Sequence, residues 1–165
     1  MGLSARVLGS LVALATLVVD QGHKHWMIYS FNIADRQPVN LFPGMDLVMA
    51  WNPGISYSWL SAETPMGRMA LLGIALAATL ILCIWLWRNP LKITGIALGF
   101  LIGGALGNAY DRFAYGAVAD FFHFHVGSFS WYVFNLADVG IVAGVALLLY
   151  ESFLPQDKDA SSLAK

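Results

Sequence analysis

The sequence predicts an all-α membrane protein: a bundle of four transmembrane helices with a small strand-containing extracytoplasmic cap between helices 1 and 2. Three observations carry that prediction. Of the 165 residues, 58% are hydrophobic and only 12% are Asp, Glu, Lys or Arg, about half the charge of an ordinary soluble chain. So few charges would leave large apolar patches against water. Four segments approach the roughly 20 apolar residues that cross about 30 Å of hydrocarbon. Nine basic residues against ten acidic ones offer no positive field for phosphates, which disfavours nucleic acid as a partner. A single cysteine, Cys83, cannot form an internal disulfide and gives no redox information.

Span one is expected over roughly 5–29. It contains the apolar run Val7 to Val19, then Asp20 and Lys24, before Trp26, Ile28 and Phe31 resume the apolar character. A cleavable leader is the competing reading of residues 1–22, given Arg6 and the small residues Ala13 and Ala15, but the run does not end in a polar cleavage region. Spans two and three are expected over roughly 67–87 and 92–111, because Met69–Trp87 and Ile93–Tyr110 carry no formal charge. Arg88-Asn89-Pro90-Leu91-Lys92 between them is long enough only for a tight turn. Span four is expected over roughly 132–154, an apolar run interrupted by Asp138.

The connection over roughly 32–65 has Pro38, Pro43, Pro53 and Pro65 with Gly44 and Gly54 around short apolar runs, a pattern of strands and turns. Trp51, Tyr57 and Trp59 suit a membrane–water boundary. Residues 1–155 therefore read as one four-span domain, and the polar segment 156–165 as a disordered cytoplasmic tail. Arg6, Arg88, Lys92, Lys158 and Lys165 on the side of the termini, against Lys24, Arg36, Arg68 and Arg112 on the other, place the termini in the cytoplasm by the positive-inside rule.

An ionisable group inside a span costs at least about 2.5–3.5 kcal/mol and is a functional candidate by default. Those groups collect in one outer layer: Asp20 and Lys24 on span one, Asn108, Asp111 and Arg112 on span three, Asn135 and Asp138 on span four, and Asp120 within the second outside connection. Asp20 and Lys24 stand at i, i+4 with the acid first, the favourable order for an ion pair. The same two residues read equally as a structural pair that fixes helix register, and Asp111 reads as the partner of adjacent Arg112. Asp120 and Asp138 have no such local partner. Two carboxylates at one depth in a water-poor site cannot both ionise comfortably. Sharing a proton is the state an aspartic protease uses, with one member activating water and the other protonating the carbonyl oxygen.

The set Asp20-Gln21-Gly22-His23-Lys24, Trp51-Asn52-Pro53-Gly54, Gly103 through Arg112, Val118-Ala119-Asp120-Phe121 and Phe134-Asn135-Leu136-Ala137-Asp138 resembles the lipoprotein signal peptidase family, also called signal peptidase II. The five motifs occur in order over nearly the whole chain, about residues 5–153. The resemblance implies a membrane aspartic endopeptidase of the bacterial inner membrane, active near the extracytoplasmic face. It would remove signal peptides from prolipoproteins by cutting before a diacylglyceryl-modified cysteine. It implies Asp120 and Asp138 as the catalytic pair. Asn52, Gly54, Asn108, Arg112 and Asn135 would position substrate or support the site, and Asp20 and Lys24 would form a structural or orienting pair. No cofactor or metal is expected. Substrates and membrane lipids are the expected partners, and the compact plan makes a monomer the default. Two departures concern loops: Ser130-Trp131-Tyr132-Val133 lacks the proline often found before this Phe-Asn segment, and Pro53 stiffens the N-x-G loop.

His23-x-His25 and His123-x-His125 invite a metal reading if both pairs lie on strands, but H-E-x-x-H is absent. A small multi-span transporter using buried carboxylates is the alternative function. It would need a polar path to both sides, whereas the inner halves of spans two and three are uninterrupted apolar sequence. A structural assembly factor is a third class, for which changing Asp120 or Asp138 to Asn would leave function intact.

Overall fold

The computed structural model describes residues 2–54 and 64–154, so Tyr57, Trp59 and the tail at 156–165 lie outside the described residues. Ala5–His25 forms α1, which Ser4 caps by accepting from the Val7 N–H, and a π-helical turn over Trp26–Ser30 prolongs it. A short helix α2, Ile33–Arg36, leads into strands β1, Val39–Phe42, and β2, Met45–Asn52. Helix α3, Pro65–Arg88, starts with proline in its first turn, where a missing N–H costs nothing. Helix α4, Lys92–Tyr115, ends at Gly116 with φ 77°, the left-handed termination that glycine adopts freely. Strands β3, Val118–Val126, and β4, Phe129–Phe134, precede the last helix, α5, Leu136–Ser152.

Among the described residues, three helical segments are long and apolar enough to cross a membrane: Ala5–Ser30, Pro65–Arg88 and Lys92–Tyr115. The α5 helix has 17 residues, about 25 Å at 1.5 Å per residue. It begins later than the expected 132 because the apolar run divides: Phe129–Phe134 pairs as a strand, and Asn135 caps the helix that follows.

The cap also departs from expectation. It is one antiparallel four-stranded sheet in the order β1-β2-β3-β4, so half of its strands come from the connection between α4 and α5, not from that between the first two long helices. At the centre, β2 pairs with β3, setting Ala50 opposite Asp120 and Asn52 opposite Val118. Buried Met27, Ile33, Leu47, Ala119 and Phe121 pack together and fasten the sheet to the end of α1.

α4 is the central helix. Its small-residue stripe lies along α1: a Cβ added at Gly95, Gly99 or Gly103 would fall 2.5–2.6 Å from the carbonyl oxygen of Ala5, Gly9 or Ala13, respectively. The two backbones therefore touch, in parallel, with nothing but glycine able to occupy those positions. On the other side, Gly104 meets Ala137 and Gly144 meets Ala97, so α5 runs antiparallel to α4. The far ends are joined by a 2.6 Å hydrogen bond from Thr94 Oγ1 to Glu151. The beginning of α1, the α3–α4 turn and the end of α5 consequently share the end of the bundle remote from the sheet.

Candidate active site

Where the bundle meets the sheet, the polar residues form two connected layers. The deeper one begins on α1. Lys24 and Asp20 are paired at 2.9 Å, and Lys24 also pairs with Asp111 of α4 at 2.8 Å. All three are essentially sealed from solvent, Lys24 being 1% exposed and both acids 0%. Asp111 therefore does not serve adjacent Arg112, as its position in sequence suggested. Its neighbour along the chain points elsewhere, and the residue that approaches it belongs to the parallel helix. Gln21, one residue from Asp20, donates to Asp20 at 3.1 Å, to Asp111 at 2.9 Å and to the Gly107 carbonyl at 3.2 Å. Gly107 is required here, since a Cβ would come within 2.5 Å of the Asp20 carboxylate.

This buried unit is attached to the backbone beside both candidate catalytic residues. Asp111 Oδ2 accepts from the N–H of Ala119, just before Asp120, at 3.1 Å. Asp20 Oδ1 accepts from the N–H of Ala137, just before Asp138, at 2.9 Å. The second bond also satisfies one of the free N–H groups at the start of α5. One ionic cluster thus fixes where β3 and α5 stand relative to α1 and α4.

In the outer layer, Asp120 accepts from Asn135 Nδ2 at 2.6 Å and from Asn52 Nδ2 at 3.1 Å. Asp138 accepts from Asn108 Nδ2 at 2.8 Å and from the Asn135 backbone N–H at 3.2 Å, while the Asn135 side chain accepts from the Asp138 N–H at 3.0 Å. That reciprocal pair is a capping box, with Asn135 as N-cap. Asn135 is therefore not one helical turn before Asp138 on a common face. It is the extended residue that starts the helix, and its free amide reaches Asp120 and, at 3.1 Å, Asn108 Oδ1. Lys24 donates to the same Asn108 oxygen at 3.3 Å, which connects the two layers.

Asn52 and Gly54 act as one device. Asn52 Oδ1 accepts from the Gly54 N–H at 3.0 Å, which leaves its amide nitrogen aimed at Asp120. Gly54 has φ 108°, a conformation that side chains resist. A cavity of about 640 Å³ opens between sheet and bundle, with Asn52, Gly54, Arg112, Asp120 and Asp138 on its wall beside Tyr132 and Phe134. Five of the nine site residues expected from sequence thus face one space. Asn108 and Asn135 brace it, and Asp20 and Lys24 lie behind.

Burial pushes the Asp120 carboxyl up to about 6, against the opposing effect of the amides of Asn52 and Asn135; the charge of Asp138 adds to the rise. Arg112 donates to the Asn108 carbonyl at 3.2 Å, and its buried Nε has no hydrogen-bond partner among the described residues. Chemically, the cavity presents two carboxylates, one of them with a weakened tendency to ionise, a cation with a spare donor, and an apolar aromatic side.

The histidine pairs divide. His23 and His25 lie on α1, where i, i+2 residues face different ways, and His23 packs against Phe121 and Phe122. His123 and His125 share a strand face, with rings 5.3 Å apart, but bond instead to Ser130 at 2.7 Å and Asp46 at 3.0 Å. Among the described residues, no group of three or more His, Cys, Asp or Glu side chains is arranged to hold a metal ion. Sequence reasoning named Asp111 in the polar layer but assigned it to Arg112, and it gave Gln21 no role of its own. The available signal was that Asp111 falls one helical turn beyond Gly107 on the stripe that contacts α1.

Residues 12–154 match the family described as signal peptidase (SPase) II. The lipoprotein signal peptidase of Methylocella silvestris is 65% identical over 150 residues, covering 91% of this chain and 88% of that protein. That of Beijerinckia indica is 56% identical over 155 residues, covering 94% and 93%. Two solved bacterial membrane enzymes share the fold: one with TM-score 0.74 and 23% identity over 92% of this chain and 93% of its own, the other with TM-score 0.76 and 22% identity over 90% and 94%.

Proposed function

The chain belongs to the signal peptidase II family of proteases, and from that premise we propose that it removes signal peptides from diacylglyceryl-modified prolipoproteins, cutting before the lipidated cysteine with Asp120 and Asp138 as an aspartic dyad. The observation that carries the reading is the pair of carboxylates facing one cavity and held by a shared asparagine frame. Each carboxylate is fixed by donors from one side while the cavity side stays open to water and substrate.

In the proposed reaction, a water between the two groups loses its proton to the ionised aspartate as its oxygen attacks the scissile carbonyl carbon. The protonated aspartate donates to the carbonyl oxygen. On collapse of the tetrahedral intermediate, the C–N bond breaks and the leaving amine takes a proton from the dyad. The raised Asp120 makes it the member suited to hold the shared proton. Arg112 offers its spare N–H to a substrate carbonyl, and the Asn52–Gly54 loop is shaped to lie against an extended peptide. The remaining elements of the proposal follow from the same premise: residues 1–155 form a single four-span unit in the bacterial inner membrane, with α5 as the fourth span, termini cytoplasmic, the dyad near the extracytoplasmic face and the working form a monomer among membrane lipids.

The test is cleavage of a synthetic diacylglyceryl-modified prolipoprotein peptide by the purified protein, with the product masses read directly. A cut immediately before the modified cysteine, and none in the unmodified peptide, supports the reading. A cut elsewhere, or equal cleavage of both peptides, overturns it.

A further inference from the structure

At the end of the bundle remote from the sheet, α1 begins at Ala5, α3 ends at Arg88 and α4 begins at Lys92. They enclose a cavity of about 530 Å³ lined by Arg6, Arg88 and Lys92 together with Ser4 and Asn89. Among the described residues, no acidic side chain lines it. The ion pairs among the described residues are Lys24 with Asp20, Lys24 with Asp111 and His125 with Asp46, so none of these three cations has a carboxylate partner there.

Their placement also runs against the helices' own field. The N-terminus of a helix carries roughly half a positive charge and favours anions nearby. Here Arg6 stands in the first turn of α1 and Lys92 opens α4, and neither helix has an acid in its first turn. Leu91, the N-cap of α4, supplies no side-chain acceptor. Two helix N-termini and three cations therefore converge on one space that no carboxylate among the described residues lines; Glu151, at the same end of the bundle, is engaged by Thr94 and lines a separate cavity.

The rim identifies the source of the missing anion. Leu3 (52%), Val7 (46%), Trp87 (61%) and Leu91 (49%) are exposed around the same ends, and the Arg6 guanidinium lies 5.7 Å from the centre of the Trp87 ring. An exposed indole beside a cation suits the level of lipid headgroups, and the apolar flank below suits acyl chains. A free phosphate would use the cations and leave that flank unexplained. We propose that this cavity binds the phosphate of an anionic phospholipid. Arg6 and Arg88 grip the phosphate oxygens through their forked N–H groups, Lys92 adds charge, and the acyl chains follow the outer faces of α1 and α3, where Val7 and Trp87 are exposed.

The experiment uses the full chain, purified and delipidated, and measures its partition of phosphatidylglycerol against phosphatidylcholine from mixed vesicles by mass spectrometry of the lipids that remain bound. The wild type is expected to enrich phosphatidylglycerol. Neutralising the site with Arg6→Gln, Arg88→Gln and Lys92→Gln together is expected to reduce that preference on the order of 100-fold, at about fivefold per cation near a headgroup. Peptide cleavage by the triple variant, whose changes lie far from the dyad, reports that it remains folded. Arg36→Gln, which removes an exposed charge near the cap, is expected to leave the preference unchanged. No preference in the wild type, an undiminished preference in the triple variant, or an equal loss with Arg36→Gln would each overturn the proposal. So would displacement of the lipid by millimolar inorganic phosphate, which would mark a site for free anions.

Discussion

Replacing Lys24 with methionine removes the ammonium that two buried carboxylates share while keeping most of the side chain's volume. The nitrogen lies 2.9 Å from Asp20 and 2.8 Å from Asp111, and the site is sealed from water. Breaking one buried ion pair by deleting a partner costs about 3–5 kcal/mol, because the remaining charge is left uncompensated. Here two carboxylates are stranded together, so Lys24→Met is expected to lie at the upper end of that range. The double variant Lys24→Met with Asp111→Asn removes one of the stranded charges and keeps an acceptor for the Ala119 N–H. It is expected to recover at least about 1 kcal/mol of the loss, within the coupling that contacting residues show. Reversible unfolding in mixed micelles, followed by near-ultraviolet circular dichroism, measures both. The same cluster holds the backbone beside Asp120 and Asp138, so cleavage by the single variant should fall further than its loss of folded protein explains. A single variant destabilised by less than about 1 kcal/mol, or a double variant no better than the single, would refute this reasoning.

Three further outcomes follow from the same geometry. Burial raises the Asp120 carboxyl to about 6, above the ordinary carboxylate value of 3.8; its favourable contribution is therefore complete below about pH 4 and lost as pH rises through 6. Asp120→Asn should accordingly gain stability relative to wild type across that interval, and a difference that stays flat from pH 4 to 7 would contradict it. Asn52→Ala removes a hydrogen bond that favours the ionised Asp120, so any limb of the pH–rate profile belonging to Asp120 should move to higher pH; an unmoved or lowered limb counts against the assignment. Gly107→Ala drives a methyl group to within 2.5 Å of the Asp20 carboxylate, and overpacking of this kind costs about 1–3 kcal/mol. Its effect should appear as lower thermal stability and a lower kcat, whereas a wild-type profile would show that Asp20 has room to move.

Local spacing made some of this legible. The Asp20–Lys24 pair followed from the i, i+4 rule, and Asp120 and Asp138 stood out because a carboxylate among apolar neighbours is costly wherever it sits. What spacing could not convey was the partner supplied by another element. Asn52 reaches Asp120 across the β2–β3 pairing, and Asp111 meets Lys24 only because glycines bring α1 and α4 into backbone contact. The hairpin of β3 and β4 was hidden for a different reason. Its Trp131–Phe134 end runs into the α5 helix as one largely apolar stretch interrupted by Asn135 and Asp138, and hydropathy does not distinguish a strand from a span at that boundary. Asn135 three residues before Asp138 was the usable signal, since an Asn N-cap with an acid at N3 marks where a helix starts.

The proposed chemistry rests on two groups, and the most direct measurement is cleavage of the lipid-modified peptide by Asp120→Asn, Asp138→Asn and the double variant, each first shown to fold. Each single change is expected to lower kcat by at least about 10³-fold, and the double variant to be no worse than the weaker single, because the residues act as one unit. A folded double variant that still releases the signal peptide at an appreciable rate would contradict the dyad.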